Sequence, residues 1–486
     1  MSQLSHLWDY SPPERITSRS GYHWLVVSTV CIGAFMAALD ASIINLALPS
    51  LMRQFGIGMA KAEWISLVYL LTLSSLVIPF GRLADMFGRR WMYATGFFVF
   101  LVSSVACGVA PGFAGLLVAR IFQAIGAAML QANSVSIITA ATPAAHRGKA
   151  IGIQASAQGI GLSLGPVIGG ALLSLGDWRW LFYVNVPIGI AGTILAVLLL
   201  PRDTGRRKES FDYWGLVFLL PALIMMVYVL NSGLAQGWTS PFILLCVFTA
   251  MLALASFVRE EQRSYTPLMD LSLFRNKIFR YGNLTSFLSF TVMYGVLLLS
   301  PFLMETGFRL DAVTAGLYLS LVPIGMTICT PISGYLADRF GVRVPAIGGT
   351  ALLLLGSGLL ALIHGGGETA LLLLGLWLTG CGMGMFTPPN NSQVMGNVPA
   401  DRLGVAGATL NMSRTMGMGM GITLSGMLYQ SALRILPASQ EPVNFYAFQA
   451  SYGLIGLLSA VTLAIWLIRR NAREKYSSEA YIEYYI

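Results

Sequence analysis

Fourteen apolar stretches, each long enough to cross a bilayer, follow one another along the chain and limit what it can fold into. They lie near residues 22–50, 62–81, 91–110, 113–140, 149–174, 179–201, 212–232, 240–258, 281–304, 312–336, 344–363, 369–395, 404–432 and 445–468. A spanning helix needs about 20 apolar residues. Lipid offers no partner for a backbone N–H or C=O, so such segments must satisfy their own hydrogen bonds as helices. The expected fold is therefore all-α and integral to the membrane. Composition agrees, with 56% of residues hydrophobic and only 10% charged; soluble domains carry roughly 25% charged residues.

Charge then orients the helices. The net charge of +9 would suggest nucleic acid on a soluble domain. Here the basic residues stand in short loops between apolar stretches, which is a topology signal, and no nucleic-acid partner is expected. With fourteen spans both termini share one side. Lys and Arg number 23 on that side against 5 on the other, namely Arg53, Lys61, Arg179, Arg309 and Arg434. The positive-inside rule makes the terminal side cytoplasmic. Residues 1–21 and 469–486 then read as cytoplasmic tails of a multi-pass protein of the cell inner membrane. The first apolar stretch is too long for a signal-peptide core and reads as an uncleaved span.

An internal repeat divides the chain. Gly81-Arg82-Leu83-Ala84-Asp85-Met86-Phe87-Gly88-Arg89-Arg90 follows the second span, and Gly334-Tyr335-Leu336-Ala337-Asp338-Arg339-Phe340-Gly341-Val342-Arg343 follows the tenth; seven of ten positions are identical at an offset of 253. Arg147 and Gly152 are echoed by Arg402 and Gly407 at an offset of 255. Both copies fall in cytoplasmic loops, so the halves are parallel repeats about the membrane normal. Eight spans separate the copies where six would suffice. The division expected is a six-helix bundle over 22–201, two inserted helices and a cytoplasmic linker over 202–280, and a second six-helix bundle over 281–468.

These loops resemble the signature of the major facilitator superfamily, G-x-L-A-D-x-x-G-R-R. Four further stretches resemble the fourteen-span drug:proton antiporters of that superfamily. They are Leu39-Asp40-Ala41-Ser42-Ile43-Ile44-Asn45-Leu46-Ala47-Leu48-Pro49, Arg120-Ile121-Phe122-Gln123, Gly161-Leu162-Ser163-Leu164-Gly165-Pro166-Val167-Ile168-Gly169-Gly170, and Trp178-Arg179-Trp180 with Phe182, Asn185 and Pro187. Ala124 departs from the pattern, standing where a glycine commonly follows the glutamine. The resemblance covers nearly the whole chain and implies a proton-coupled antiporter working by alternating access.

Asp40 reads as the only acid deep within a span. A mid-membrane carboxylate costs about 2.5–3.5 kcal/mol on insertion scales, so it should face the bundle interior or a wet cavity. Removal from water favours the protonated form, which suits a group that binds and releases a proton. A structural hydrogen bond to a neighbouring helix is the blander alternative. Arg120 is a fixed positive charge that either tunes Asp40 or pins helices through backbone carbonyls. In the resembled family the acid matching Asp40 is tied to proton coupling or cation binding. Arg414 is the main buried charge of the second half, where some relatives carry acids. Its presence predicts that dications are poor substrates and that neutral, monocationic or anionic amphiphiles are better ones.

Further candidates for the substrate cavity are Asn45, Gln131, Gln158, Tyr294, Asn390, Asn391 and Asn411. Gly81, Asp85, Gly88, Arg89 and Arg90, with Gly334, Asp338 and Gly341, form the loops that in the superfamily brace the halves when the cytoplasmic side is shut. Gly161, Gly165, Pro166 and Gly169 read as close helix packing with a proline bend. No nucleotide-binding loop is present, no cysteine pair suggests a disulfide or metal site, and no cofactor, metal or enzymatic activity is expected. The partners expected are a small-molecule substrate, protons and the lipid bilayer, with the chain acting as a monomer. Three functions remain open: export of amphipathic organic compounds, transport of one endogenous metabolite or chelate, and a non-transporting membrane sensor or scaffold.

Overall fold

A computed structural model describes residues 21–143, 146–201, 212–264, 269, 271–399, 403–435 and 445–468, and the described residues are helices joined by short turns. In chain order they are α1 (Tyr22–Phe55), α2 (Met59–Ala62), α3 (Trp64–Phe87), α4 (Arg89–Gly108), α5 (Phe113–Ala141), α6 (Arg147–Leu173), α7 (Trp180–Tyr183), α8 (Asn185–Leu199), α9 (Tyr213–Gln236), α10 (Pro241–Arg263), α11 (Lys277–Phe302), α12 (Ala312–Leu319), α13 (Leu321–Phe340), α14 (Arg343–Ala361), α15 (Thr369–Met395), α16 (Leu403–Ile435) and α17 (Phe445–Ile468). Among the described residues, thirteen spans are long and apolar enough to cross a membrane. The fourteenth is α16, whose 33 residues are diluted by Gly, Ser, Thr and Arg414.

Three spans are interrupted. Spans two, six and ten are split into α2–α3, α7–α8 and α12–α13, and span nine ends in a π-helical turn, Leu303–Gly307. Prolines sit inside α1, α3, α6, α9, α11, α13 and α15. Membrane helices tolerate them because neighbouring helices satisfy the freed carbonyls.

Helices α1–α8 form one six-span bundle and α11–α17 the other. The hairpin α9–α10 is inserted between them in sequence, and α9 packs on α3 and α16, where the bundles meet. The outer helix α10 leaves Leu245, Phe248, Met251 and Leu252 exposed, as a lipid-facing helix would.

The duplication extends far beyond the two loops. Glycines fix the same helix crossings in both bundles. A Cβ on Gly126 would sit 2.6 Å from the Phe100 amide nitrogen, and one on Gly382 2.7 Å from that of Leu353. Likewise a Cβ on Gly165 would lie 3.1 Å from the Ile43 nitrogen, and one on Gly421 3.0 Å from that of Gly295. Only glycine lets backbones approach this closely. Arg90 donates to the Val197 carbonyl at 2.6 Å, and Arg343 to the Leu467 carbonyl at 2.7 Å, each satisfying a carbonyl in the last turn of its bundle's final helix.

The bundles touch on the half of the molecule away from the termini, here termed the far face. α6 meets α12, where Gly316 lies against the Pro166 carbonyl and a Cβ on Gly170 would come 2.5 Å from that of Ala312. α3 meets α16, and Arg53 pairs with Glu305. At the terminal face, among the described residues, Gly81, Gly152, Gly334 and Gly341 have no atom of another segment within 4 Å of where a side chain would begin, and Asp338 is exposed.

Candidate functional site

The polar centre of the first bundle is built where α1, α4, α5 and α8 converge. Gly161 and Gly165 draw α6 onto α1, and Ser42 bonds the Leu39 carbonyl beside the crossing. This places Asp40 inward with none of its surface exposed; Arg120 is 1% exposed. Arg120 Nη1 donates to Asp40 Oδ2 at 2.6 Å and to Gln123 Oε1 at 2.7 Å. Gln123 Nε2 donates to Asp40 Oδ1 at 2.9 Å and to Ser104 Oγ at 2.9 Å, and Asn185 Nδ2 reaches Asp40 Oδ1 at 3.1 Å. Arg120 Nε takes the Ile65 carbonyl at 3.2 Å, and its guanidinium lies 4.3 Å from the centroid of the Tyr69 ring. Asp40 thus accepts from three side chains, and Arg120 both pairs with the acid and ties α5 to α3 through the Ile65 carbonyl.

Gln123, Ser104 and Asn185 are part of this centre. Gln123 and Asn185 stand in the motif-bearing stretches; no sequence signal singles out Ser104. The matched crossings identify the second bundle's counterparts. Asp40 lies three residues before Ile43, as Val292 lies before Gly295; Arg120 and Gln123 precede Gly126 as Leu376 and Thr379 precede Gly382. Asn185 precedes Val197 as Ile455 precedes Leu467. Val292, Leu376, Thr379 and Ile455 are all fully buried. The second bundle has the same frame without the charge.

Ser42 and Asn45, one turn along α1, line a slot between the bundles with Met293, Tyr294, Pro323 and Met326. Its volume is about 30 Å³, room for a water or two. Here it is a closed neck. Asn45 accepts from Ser66 at 3.2 Å. Gln131, Gln158 and Asn411 are half-buried. Arg414 bonds Asn391 Oδ1 and lies 5.7 Å from the centroid of the Phe290 ring, and among the described residues its Nε has no hydrogen-bond partner. By the helix crossing Arg414 is the counterpart of Gln158.

Three expectations need correction. Asn390 is fully buried and donates to the Gly282 carbonyl at 3.1 Å while accepting from Thr285 at 3.2 Å, so it ties α15 to α11 and faces no cavity. Arg90 is buried against its own bundle through Val197. Asp40 is not the only deeply buried acid: Glu63, at the start of α3, is 1% exposed. It stands at the edge of the second predicted span, 62–81. The Asp85 side chain lies outside the described residues.

The Major Facilitator Superfamily profile matches residues 30–236, 209–422 and 284–483. The chain is 34% identical over 412 residues to the multidrug resistance protein Stp of Mycobacterium tuberculosis, covering 85% of this chain and 76% of that protein. It is 31% identical over 411 residues to the riboflavin transporter RibZ of Clostridioides difficile, covering 84% and 89%. A solved POT family transporter in complex with a thioalcohol-conjugated peptide superposes with a TM-score of 0.69 at 16% identity, covering 91% of this chain and 94% of that one. Fold, repeat and sequence agree: this chain belongs to the Major Facilitator Superfamily and is a multi-pass membrane transporter of small molecules.

Proposed function

We propose that the chain is a proton-coupled antiporter that exports amphipathic organic compounds by alternating access, sitting in the cell inner membrane with both termini cytoplasmic. The sealed pair of Asp40 and Arg120 carries this reading. A buried carboxylate is tolerable only with a counter-charge and satisfied lone pairs, and a proton arriving on Asp40 removes the reason for the pair. Proton uptake and release therefore change what holds α1 to α5. The same helix α1 carries Ser42 and Asn45 into the neck, so the change reaches the point where cargo would pass. With the terminal face cytoplasmic, contact at the far face makes this the inward-facing arrangement. An ionised, paired Asp40 suits the stage after the proton has left to the cytoplasm. The gradient supplies the drive without a cofactor, and one chain holds the whole path.

Met293, Tyr294 and Met326 give the neck an adaptable apolar lining, as suits varied amphiphiles. Arg414 in the second bundle favours neutral, monocationic or anionic cargo over dications. A second reading, transport of one planar metabolite, draws on Arg414, Asn391 and Phe290 and on the similarity to a riboflavin transporter. Proteoliposomes with an imposed pH gradient separate the two. Export of a monocationic dye with a dicationic biguanide left behind fits the first reading. Movement of a flavin alone fits the second. Strong export of the dication by the Asp40→Asn variant contradicts both.

A further inference from the structure

The two bundles meet at two related seams on the far face, and the seams are filled differently. By the repeat offsets, Gly170 corresponds to Gly426 and Gly316 to Glu63. At the seam of α6 and α12 the contact is glycine against backbone. At the seam of α3 and α16 the space is taken by the Glu63 carboxyl, whose Oε1 lies directly against Gly426. Glu63 is 1% exposed, and this burial is by protein alone. Its Oε2 accepts from Asn231 Nδ2 of α9 at 2.7 Å, and among the described residues its Oε1 has no hydrogen-bond partner. Trp64 and Tyr228 lean together beside it, with ring centroids 6.0 Å apart.

Charged and titratable groups on the surrounding helices include Arg53 and Asp40 on α1, Lys61 on α2, Tyr69 on α3, Arg120 on α5, Tyr213 and Tyr228 on α9, and Tyr429 and Arg434 on α16. Among the described residues none of them bonds either Glu63 oxygen. Arg120 is engaged with Asp40, and Arg53 with Glu305. Among the described residues one neutral amide is thus the only donor to a sealed carboxyl. An ionised carboxylate so placed would be an uncompensated buried charge, whereas a carboxylic acid would not.

We propose that Glu63 is a second proton-binding site, which takes a proton from the outer side when the far-face seam closes and returns it there when the seam opens. The inserted helix α9 supplies, through Asn231, the donor that receives Glu63 in the closed state. The inserted hairpin thereby gains a role, since it caps the seam in which Glu63 is buried. The proposal rests on the orientation and the alternating access proposed above. It differs in its proton, which is returned to the side it came from and is not transported. The sign is fixed by linkage. The closed state holds one proton more than the open one, so raising the outer pH favours opening, by about tenfold in the open-to-closed ratio per pH unit.

The test uses the full chain in nanodiscs, its five native cysteines replaced by alanine and spin labels placed at Lys61→Cys and Leu433→Cys across the seam. Distance distributions are recorded over a pH series. The expected result is a shift toward the open distance as pH rises, lost in Glu63→Gln, which stays closed throughout. Infrared difference spectra of the unlabelled protein should show a protonated carboxyl band that Glu63→Gln removes and Asp40→Asn leaves in place. Gly426→Ala, which keeps the acid but crowds Oε1, should favour the open distance at every pH; it keeps the proposal testable if Glu63→Gln folds poorly. A pH response that persists in Glu63→Gln overturns the proposal, and so does the absence of a band assignable to Glu63. A fall of one in the protons transported per substrate by Glu63→Gln also overturns it, since that proton would then cross the membrane. Failure of Asp40→Asn to affect transport would count against proton coupling at Asp40 and leave these readouts untouched.

Discussion

The two bundles share a frame and differ in what the frame holds. Glycine crossings recur at Gly126 and Gly382 and at Gly165 and Gly421, and an arginine ties down the final helix of each bundle. Inside this common frame the first bundle buries Asp40, Arg120, Gln123 and Asn185, where the second buries Val292, Leu376, Thr379 and Ile455. Duplication thus preserves the parts that fix helix spacing, while the Asp40–Arg120 pair is found in one copy only. A transporter needs both bundles to rock as similar bodies, but one titrating centre is enough to couple the motion to a proton.

The contrast can be broken at its charges first. Arg120→Ala leaves Asp40 sealed without its counter-charge, so the first bundle should lose about 3–5 kcal/mol of stability. The loss should appear as a large drop in the unfolding midpoint, partly recovered in Arg120→Ala/Asp40→Asn. The equivalent change in the second bundle, Leu376→Ala, removes only apolar packing and should not respond to a partner substitution. Placing an acid into the second frame is the converse. Val292→Asp has no arginine to meet it and should cost about 2.5–3.5 kcal/mol, read in the same denaturation assay. A cost near zero would mean that the second bundle can supply a counter-charge or water after all.

The shared frame is expected to respond alike in both copies. Gly165→Ala and Gly421→Ala each push a methyl into a facing helix and should each cost about 1–3 kcal/mol. A large inequality between them would show that the crossings are less equivalent than their geometry. The smallest effect belongs to the surface. Asp311 caps α12, accepting from Thr314 Oγ1 at 2.6 Å and from the Val313 amide at 3.1 Å. These bonds hold its carboxyl below the usual carboxylate range. A lowered value means that the cap contributes above the ordinary carboxylate range and is lost as pH falls through the native value. Asp311→Ala should therefore lower the unfolding midpoint slightly at neutral pH and not at all in strong acid.

Much of this was legible in the sequence, because apolar length, loop charge and the repeated G-x-L-A-D motif are local properties. Asp40 and Arg120 stood out because charge within an apolar stretch is rare. Three things were hidden, two of them side-chain environments. Glu63 lies at the edge of a stretch, and only the docking of α9 and α16 buries it. Asn390 looks like a cavity-facing amide, and only the neighbouring Gly282 and Thr285 reveal that its bonds are already used. In both cases the deciding contacts come from residues distant in the chain, which no local pattern encodes. The correspondence of Asp40 with Val292 was hidden for the same reason: it is defined by helix crossings and not by sequence identity.

The account turns on Asp40 as the group that exchanges the transported proton. The direct measurement is proton release on adding a transported monocationic dye to the purified protein in weakly buffered solution, with dye binding followed in parallel. The wild-type chain should release protons as the dye binds, and Asp40→Asn should bind the dye and release none. Equal release from Asp40→Asn and the wild type would contradict the account and move the coupling site elsewhere in the molecule.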